Sequence, residues 1–545
     1  MISVRHGGYH NDYSEHTNST RNGINSRHDA RQHASRVRSS HAIPGCRAVA
    51  CRGGECEALA SVRCSVKSGS LGSRLLRSAI ALIFCSTACS VVPVSNSQAT
   101  PPPASASTAP AVAEKISIVG PSGPLPEAAR EHVVARTVQQ GRQDLARRHL
   151  AAIAAHADGA TLYSDNSARL LIDGPATFEA MLNAIANAKR SIVLESYIIE
   201  DAAISKKLAA VLSAKRAAGV EVAVIYDSIG SFGTDQVFFD SLRAAQVMVC
   251  AFNPVNPLKR PGSWGISHRD HRKILVVDQT VGFTGGINMS DVYSSGSMSR
   301  QRSRKPDTEK ENENGWRDTQ IEIHGPAARA LDDLVRNTWQ QQKCQGELKK
   351  NGPDKLVKMQ AAGSQLISIV PASPKDEQSR IYALLLTSIR AAQRNVYLTM
   401  AYFSPGEEMI DALCQASQRG VDVKLILPSK SDFSPVWHAG RSYYTRLLEA
   451  GIEIHELQDT VLHAKTAVID GVVSTVGSSN LDWRSFSENN EVNAFVIGDD
   501  FGGTMNAMFA KDLAVSQEIS RQDWAERPLL QKTKETLARL FERLL

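Results

Sequence analysis

The sequence predicts an α/β protein built from two similar halves. A pattern of polar and glycine residues occurs once around His271 and again, with the same spacing, around His463. Each copy follows a segment in which apolar runs alternate with amphipathic runs, as strands alternate with helices in mixed, largely parallel sheets. A length of 545 residues also exceeds one ordinary hydrophobic core. We therefore expect at least two domains.

The same order of elements is expected in both halves. In the first half the periodicity predicts helices at Phe178 to Lys189 and Ser205 to Ala218, and strands at Ser191 to Ile199 and Val220 to Asp227. In the second half it predicts helices at Ile381 to Gln393 and Glu408 to Arg419, and strands at Asn395 to Phe403 and Val421 to Leu427. One or two amphipathic helices are expected upstream, between residues 126 and 155.

The repeated pattern has the chemistry of a phosphate site. Its first copy consists of His271, Lys273, Asp278, Gly285-Gly286 and Asn288, and its second of His463, Lys465, Asp470, Gly477-Ser478 and Asn480. Residues two apart on a strand face the same side, so the histidine and the lysine are expected to meet one ligand. The glycines allow a tight turn, and the asparagine adds a side-chain donor. Two copies with identical spacing argue against a histidine and a lysine that merely flank a buried strand.

This spacing resembles the paired HKD motifs of the phospholipase D superfamily. The sequence around the motifs is similar to that of bacterial cardiolipin synthases. The similar stretches are Thr284-Gly-Gly-Ile-Asn-Met-Ser290, Gly315-Trp-Arg-Asp318, Ser479-Asn-Leu-Asp-Trp-Arg-Ser-Phe486 and Asn489-Asn-Glu491. The resemblance covers about residues 160 to 545. It implies two phospholipase D-like α/β/α sandwich domains with mixed β-sheets, packed face to face as a pseudo-dimer within a monomer.

The resemblance also implies roles for the catalytic set, which is His271, Lys273, Asp278, His463, Lys465 and Asp470. His271 would attack phosphorus to give a phosphohistidine and His463 would serve as acid and base, with the reverse order left open. Both lysines, with Asn288 and Asn480, would hold the phosphate oxygens. Asp318 and Glu491 are candidates to orient the histidines, because a carboxylate commonly fixes the second ring nitrogen. Asp278 and Asp470 are interpreted as closing the turn after each strand.

The implied function is that of a phosphatidyltransferase of the cardiolipin synthase type, which moves a phosphatidyl group from one phosphatidylglycerol to another. The alternative is a phospholipase D or phosphodiesterase, including a nuclease, that uses water as the acceptor. Residues 1–89 hold 12 lysines and arginines and 5 acidic residues, so the remaining 50 basic and 51 acidic residues balance. A nuclease would be expected to show a basic domain, and we therefore expect no nucleic-acid partner.

No metal or cofactor is expected. Beyond the first 89 residues, Cys250, Cys344 and Cys414 form an odd, sparse set without zinc-site spacing. They are interpreted as buried thiols.

The chain is expected to divide into eight segments. The first four are an unstructured leader at 1–65, an export signal at 66–89, a Pro/Ala/Ser linker at 90–125 and a helical segment at 126–155. The other four are phospholipase D-like domains at 156–345 and 366–500, the linker at 346–365 that joins them, and C-terminal helices at 501–545. A start codon assigned too far upstream would also explain the leader. Cys89 is a lipidation candidate, and a simple signal peptide or membrane anchor is the alternative. These features predict a membrane-associated protein on the periplasmic side.

The last segment suggests contact with a membrane surface. Leu537, Leu540, Phe541 and Leu544 recur at helical spacing beside basic residues, a pattern typical of interfacial helices. A helix docked on the protein's own core fits the same pattern.

Overall fold

A computed structural model describes residues 109–139, 143–156, 161–254, 267–297, 315–348 and 359–544. They belong to one compact unit, residues 97–545. Residues 1–108, which include the leader and the export signal with Cys89, and residues 298–314 lie outside the described residues. None of the helices in these ranges is long and apolar enough to cross a membrane.

The first half follows the predicted order of elements. Its helices are α1 (Ala109–Lys115), α2 (Glu127–Gln139), α3 (Gln143–His156), α4 (Asp173–Ala186), α5 (Ala203–Ala217), α6 (Gln236–Ala244) and α7 (Pro326–Gln341). Its strands are β1 (Ser117–Gly120), β2 (Gly123–Pro124), β3 (Thr161–Ile172), β4 (Ser191–Ser196), β5 (Glu221–Asp227), β6 (Met248–Phe252), β7 (Arg269–Asp270), β8 (Lys273–Val277), β9 (Val281–Gly285) and β10 (Thr319–His324).

The second half repeats these elements and adds the C-terminal helices. Its strands are β11 (Gln365–Ala372), β12 (Asn395–Met400), β13 (Asp422–Pro428), β14 (Glu453–Leu457), β15 (Lys465–Ile469), β16 (Val473–Gly477), β17 (Asn489–Ile497) and β18 (Ser516–Glu518). Its helices are α8 (Arg380–Ala391), α9 (Glu407–Gln418), α10 (Ser434–Arg441), α11 (Tyr444–Glu449), α12 (Trp483–Ser487), α13 (Asp499–Ala514), α14 (Arg521–Ala525) and α15 (Leu529–Leu540).

The two halves share one strand arrangement. The first runs β6-β5-β4-β8-β9-β10-β3 and the second runs β14-β13-β12-β15-β16-β17-β11, with the first two pairings parallel and the others antiparallel in both. Strand β3 also pairs with β11, which joins the halves. The mixed α/β class is confirmed, and each motif histidine directly precedes an equivalent strand, β8 or β15.

Part of the expected linker is folded. Residues 109–120, which the sequence places in the Pro/Ala/Ser segment, form α1 and β1. Val112, Ile116 and Ile118 are buried in the core, and β1 pairs with β3 in parallel. The apolar residues that end the proline-rich stretch give this segment enough surface to bury, so it is ordered.

The interpretation of the cysteines is wrong for two of the three. Cys250 on β6 and Cys344 after α7 form a disulfide, with Cα atoms 5.6 Å apart and a sequence separation of 94. Only Cys414 is a free, buried thiol among the cysteines of the described ranges. The pairing depends on α7 returning across the sheet, which cysteine spacing does not reveal.

Candidate active site

Both motif histidines line one cavity between the halves. It has a volume of about 290 Å³. Asn288 and Asn480 line it as well, so the fold brings these four predicted residues together. Larger hollows of about 580 and 630 Å³ lie elsewhere, and no polar residue of the repeated pattern lines either of them.

Each histidine is held by a carboxylate from the opposite half. His271 Nδ1 lies 3.0 and 3.1 Å from the two carboxylate oxygens of Glu491. His463 Nδ1 lies 2.7 Å from Asp318 Oδ2. Both predicted orienting residues therefore contact histidines, in a crossed pairing. With Nδ1 committed to a carboxylate, Nε2 is the nitrogen of each ring that remains for chemistry.

The backbone around Asp318 is fixed at several points. Its carbonyl accepts from the Asp173 amide at 2.9 Å and from the Arg317 guanidinium, which also forms a paired hydrogen bond with Asp512. A Cβ on Gly286 would collide with the Asp318 carboxylate. The glycine expected to let the backbone approach a ligand therefore makes room for the orienting carboxylate.

Glu491 is fixed by two polar contacts. Ser478 Oγ donates to its carboxylate at 2.5 Å, and Arg272 Nε donates to its carbonyl at 3.1 Å. Ser478 belongs to the second motif and Arg272 to the first. Residues from both halves therefore position the carboxylate that holds His271.

The lysines lie behind the histidines. Lys273 Nζ donates to the His271 carbonyl at 2.6 Å, and Lys465 Nζ donates to the carbonyl of His463. Lys465 Nζ also lies 2.9 Å from His463 Nδ1. Both side chains are buried, and neither lines the cavity. Their charges therefore act on the site from beneath it.

The asparagines hold different positions. Asn288 Oδ1 accepts from the Ile198 amide at 3.2 Å, and its Nδ2 lies 3.3 Å from the Tyr293 hydroxyl. Tyr293 in turn lies 3.3 Å from His463 Nδ1. In Asn480 the buried Oδ1 has no hydrogen-bond partner among the described residues. An acceptor left in this state suits a ligand hydroxyl.

Asp278 and Asp470 lie at the far ends of their strands. Six residues lie between each of them and its histidine, and an extended chain of that length spans about 20 Å. Asp278 accepts from the backbone amides of residues 189–191, and Asp470 accepts from those of residues 393–395. Neither carboxylate lines the cavity, so the structure does not bring them to the histidines, and both lie where the turn-closing interpretation puts them.

Burial controls the protonation of the site. It lowers the pKa of His271 well below its usual value, and the Lys273 and Lys465 charges lower it further. Burial likewise lowers the His463 pKa, and Lys465 adds to this while Asp318 opposes it. Burial also lowers the pKa of Lys273 to about 7 and raises that of Glu491 to about 7. Both imidazoles are thus neutral at pH 7 before substrate binds, as a nucleophile requires.

We expect His271 to titrate below pH 6.5, and Lys273→Met to move that titration upward, because the substitution removes a cation that disfavours the imidazolium. Histidine side-chain NMR measures both values, with His271→Ala identifying the signal. The exposed Lys534→Met is the control and should leave the midpoint unchanged. A midpoint at or above 6.5 in the unaltered chain would contradict this assignment.

Several cavity residues were not predicted as site residues. They are Tyr197, Arg269, Trp316, Tyr402, Asp432, Asp482 and Arg484. The Tyr402 hydroxyl donates to Asp432 at 2.8 Å, and burial raises the Asp482 pKa to about 6. Trp316, Asp482 and Arg484 lie within stretches that carry the family resemblance, so that resemblance could have identified them as site residues. Tyr402 and Asp432 lie outside those stretches.

Comparison with known proteins places these features in a family. The family model described as "Cardiolipin synthase, PLD-like domain" matches residues 181–297 and 385–513. Cardiolipin synthase of Geobacillus thermodenitrificans (strain NG80-2) is 34% identical over 379 residues, which cover 69% of this chain and 72% of that protein. Cardiolipin synthase of Listeria monocytogenes serotype 4a (strain HCC23) is 32% identical over 389 residues, covering 71% and 77%.

Among solved structures, the chain is similar to phosphatidylserine synthase of Haemophilus influenzae Rd KW20. The sequence identity is 12% and the TM-score 0.49, over 69% of this chain and 93% of that one. The two matched regions each contain one histidine of the cavity, and these relatives cover about 70% of this chain. The chain belongs to the cardiolipin synthase family of phospholipase D-like proteins.

Proposed function

We propose that this protein is a phosphatidyltransferase that makes cardiolipin and glycerol from two molecules of phosphatidylglycerol. The observation that carries the proposal is the pair of histidines in one cavity, each held at Nδ1 by a carboxylate of the other half. Both histidines and both carboxylates come from the same chain, which supports a complete site in a monomer.

In the first step, His271 Nε2 attacks the phosphorus of the donor lipid. A P–N bond forms and the bond from phosphorus to the head-group glycerol oxygen breaks, while that oxygen takes a proton from His463 Nε2. The negative phosphate beside His463 favours the protonated imidazole, opposing the burial that lowers its pKa. The product is glycerol and a phosphatidyl group on His271.

In the second step, a hydroxyl of another phosphatidylglycerol replaces glycerol in the cavity. It gives its proton to His463 Nε2 and attacks phosphorus, and the P–N bond breaks to restore His271. The negative phosphate favours the protonated forms of Lys273 and Lys465, opposing the burial that lowers their pKa values, so both supply positive charge beneath it. Asn288 and Asn480 line the cavity.

The experiment that tests the function is turnover of head-group-labelled phosphatidylglycerol in mixed micelles. Transfer gives cardiolipin and free glycerol, whereas hydrolysis gives phosphatidic acid and free glycerol. Cardiolipin as the main lipid product supports the proposal. Phosphatidic acid alone would make the enzyme a phospholipase D.

Activity should survive thorough chelation, because the proposed charge stabilisation comes from Lys273 and Lys465. In the part of the chain that the structure describes, no three His, Cys, Asp or Glu side chains are grouped to hold a metal ion. Turnover after treatment with EDTA and removal of the chelator measures this. Loss that added divalent metal restores would contradict it.

We further propose that the catalytic unit works at a membrane on the periplasmic side. The basic and apolar segment ending at Cys89, followed by a proline-rich stretch, supports export. The Cys250–Cys344 disulfide is in accord with an oxidising compartment.

Cys89→Ser should shift the protein toward the soluble periplasmic fraction, because it removes acyl chains whose burial contributes about 0.8 kcal/mol per methylene. Fractionation measures the shift, and protease added to spheroplasts should digest the unaltered protein. Protection from protease, with fractionation unchanged by the substitution, would place the enzyme in the cytoplasm.

A further inference from the structure

The C-terminal helix α15 turns its apolar side away from the protein. Leu529, Leu530, Leu537 and Leu540, with Phe541 just after the helix, are between 51% and 80% exposed, and we call these five residues the apolar stripe. The residue of α15 that is most buried is Glu535, at 2% exposure. A surface helix normally does the opposite. The apolar side of α15 is therefore a surface that a binding partner could cover.

Ion pairs and hydrogen bonds fix this orientation. Glu535 accepts from Arg527 at 2.9 and 3.0 Å and lies 3.7 Å from Arg441. The Tyr443 hydroxyl donates to Glu542 at 2.7 Å. Rotating α15 to bury its leucines would break these contacts and take from the partly buried Arg527 its carboxylate partner, which is costly. The stripe is thus held outward by the polar side of its own helix.

The stripe is carried by a helix that packs against the wall of the catalytic cavity. Helix α15 packs against α10, which contributes Val436 to the cavity wall, and the exposed Phe433 just before α10 lines it too. The Arg543 guanidinium lies 5.6 Å from the ring centre of the exposed Trp483, next to Arg484 of the cavity. The helix that carries the stripe, and the residues just after it, therefore contact two elements that line the cavity, α10 and α12.

The charges beside the stripe select among the candidate partners. Lys534 and Arg543 are exposed next to it. A second copy docked stripe to stripe would bring these cations against themselves. Residues 1–89 of this chain are basic as well, with 12 lysines and arginines against 5 acidic residues. A surface that is both apolar and anionic fits best, and an anionic lipid bilayer is such a surface.

We propose that the apolar stripe docks the catalytic unit on an anionic lipid bilayer, with the cavity mouth facing the lipid. The inference rests on the proposed function for its orientation, because a lipid substrate must leave the bilayer to reach His271. The stripe and the cavity are different surfaces, so docking and chemistry can be tested apart.

The test combines Leu537→Ser, Leu540→Ser and Phe541→Ser in the full chain. Turnover is measured on phosphatidylglycerol in vesicles and on a short-chain phosphatidylglycerol dissolved as monomers. Vesicle turnover should fall about tenfold or more, because apolar surface no longer enters the bilayer, while turnover of the monomeric lipid stays unchanged. Val515→Ser, at an exposed position on α13's C-terminal end, is the matched control and should change neither rate.

Equal vesicle turnover in the triple variant and the unaltered chain would overturn the proposal. An equal loss on both substrates would also overturn it, since the stripe would then support the site rather than docking. If gel filtration shows that the substitutions dissociate a dimer, the stripe is instead an interface with a second copy of the chain.

Amine acylation of Lys534 provides a readout independent of turnover. Vesicles of phosphatidylcholine with phosphatidylglycerol should slow its acylation in the catalytically silent His271→Ala chain. Protection already present without vesicles would mean that another part of the chain covers the stripe. If the unaltered enzyme turns over neither lipid, the proposed function fails, and acylation alone decides the docking.

Discussion

Replacement of His271 by alanine is expected to abolish turnover of phosphatidylglycerol and to remove the phosphoenzyme that acid-free denaturation traps in the unaltered protein. The variant loses the only atom to which the phosphatidyl group is bonded in the proposed mechanism. The phosphohistidine should be labile in acid and stable in base, which separates it from an acyl or ester phosphate adduct. Labelled lipid followed by rapid denaturation in base measures it.

His463→Ala should slow turnover by about 10²- to 10⁴-fold, the usual contribution of a positioned acid and base. The two variants should differ with a phosphatidyl ester of p-nitrophenol, whose leaving group needs no proton. On that substrate the His463 variant should still form the phosphoenzyme and accumulate it, whereas the His271 variant should form none.

His324→Ala is the matched control, because His324 also contacts a carboxylate, Glu322, but lies outside the cavity. Its turnover should equal that of the unaltered protein. Substantial activity in the His271 variant, with the thermal unfolding midpoint preserved in each protein, would remove covalent catalysis by this residue. Phosphoenzyme in the His271 variant and none in the His463 variant would reverse their roles.

Local sequence patterns predicted the elements well because the halves alternate apolar strands with amphipathic helices. The predicted strand at Val220 to Asp227 is β5, Glu221–Asp227, and the predicted helix at Glu408 to Arg419 is α9, Glu407–Gln418. Strands were predicted too long where polar cavity residues continue the chain, as at Tyr402 after β12. Periodicity reports the buried run and cannot separate a strand from the extended loop that follows it.

The features that sequence could not supply are contacts between distant parts of the chain. The motifs identified His271 and His463, and the residues after each asparagine identified both orienting carboxylates. The crossed pairing, Glu491 with His271 and Asp318 with His463, depends on how the halves pack. The orientation of α15 is a similar case. The spacing of Leu537 and Leu540 is the same whether the helix turns these leucines toward the protein or toward solvent.

The crossed carboxylates lead to the second large effect. Asp318→Asn and Glu491→Gln are each expected to lower turnover by up to about 10⁴-fold, the loss seen when an amide replaces the carboxylate that fixes a catalytic histidine's tautomer. An amide can donate its own N–H to Nδ1, which favours the tautomer with a proton on Nε2. In His271 that proton would block the nucleophilic nitrogen.

The same substitution has a different consequence at His463. Without the Asp318 carboxylate, the imidazolium that must donate to the leaving oxygen is less stable, so the defect concerns proton transfer. The p-nitrophenol ester should therefore restore phosphoenzyme formation in Asp318→Asn and leave Glu491→Gln inactive. Turnover and trapped phosphoenzyme on the two substrates measure this split, which a merely structural defect would not produce.

Asp278→Asn is the matched control for these two substitutions, because it changes a motif carboxylate that accepts backbone amides about 20 Å from the histidine. It should lower the free energy of unfolding by about 1 to 3 kcal/mol and leave turnover per folded molecule unchanged. If the p-nitrophenol ester rescued Glu491→Gln rather than Asp318→Asn, the nucleophile would be His463. If Asp278→Asn lost as much turnover as either variant, the effect would be structural and the crossed carboxylates would have no special role in orienting the imidazoles.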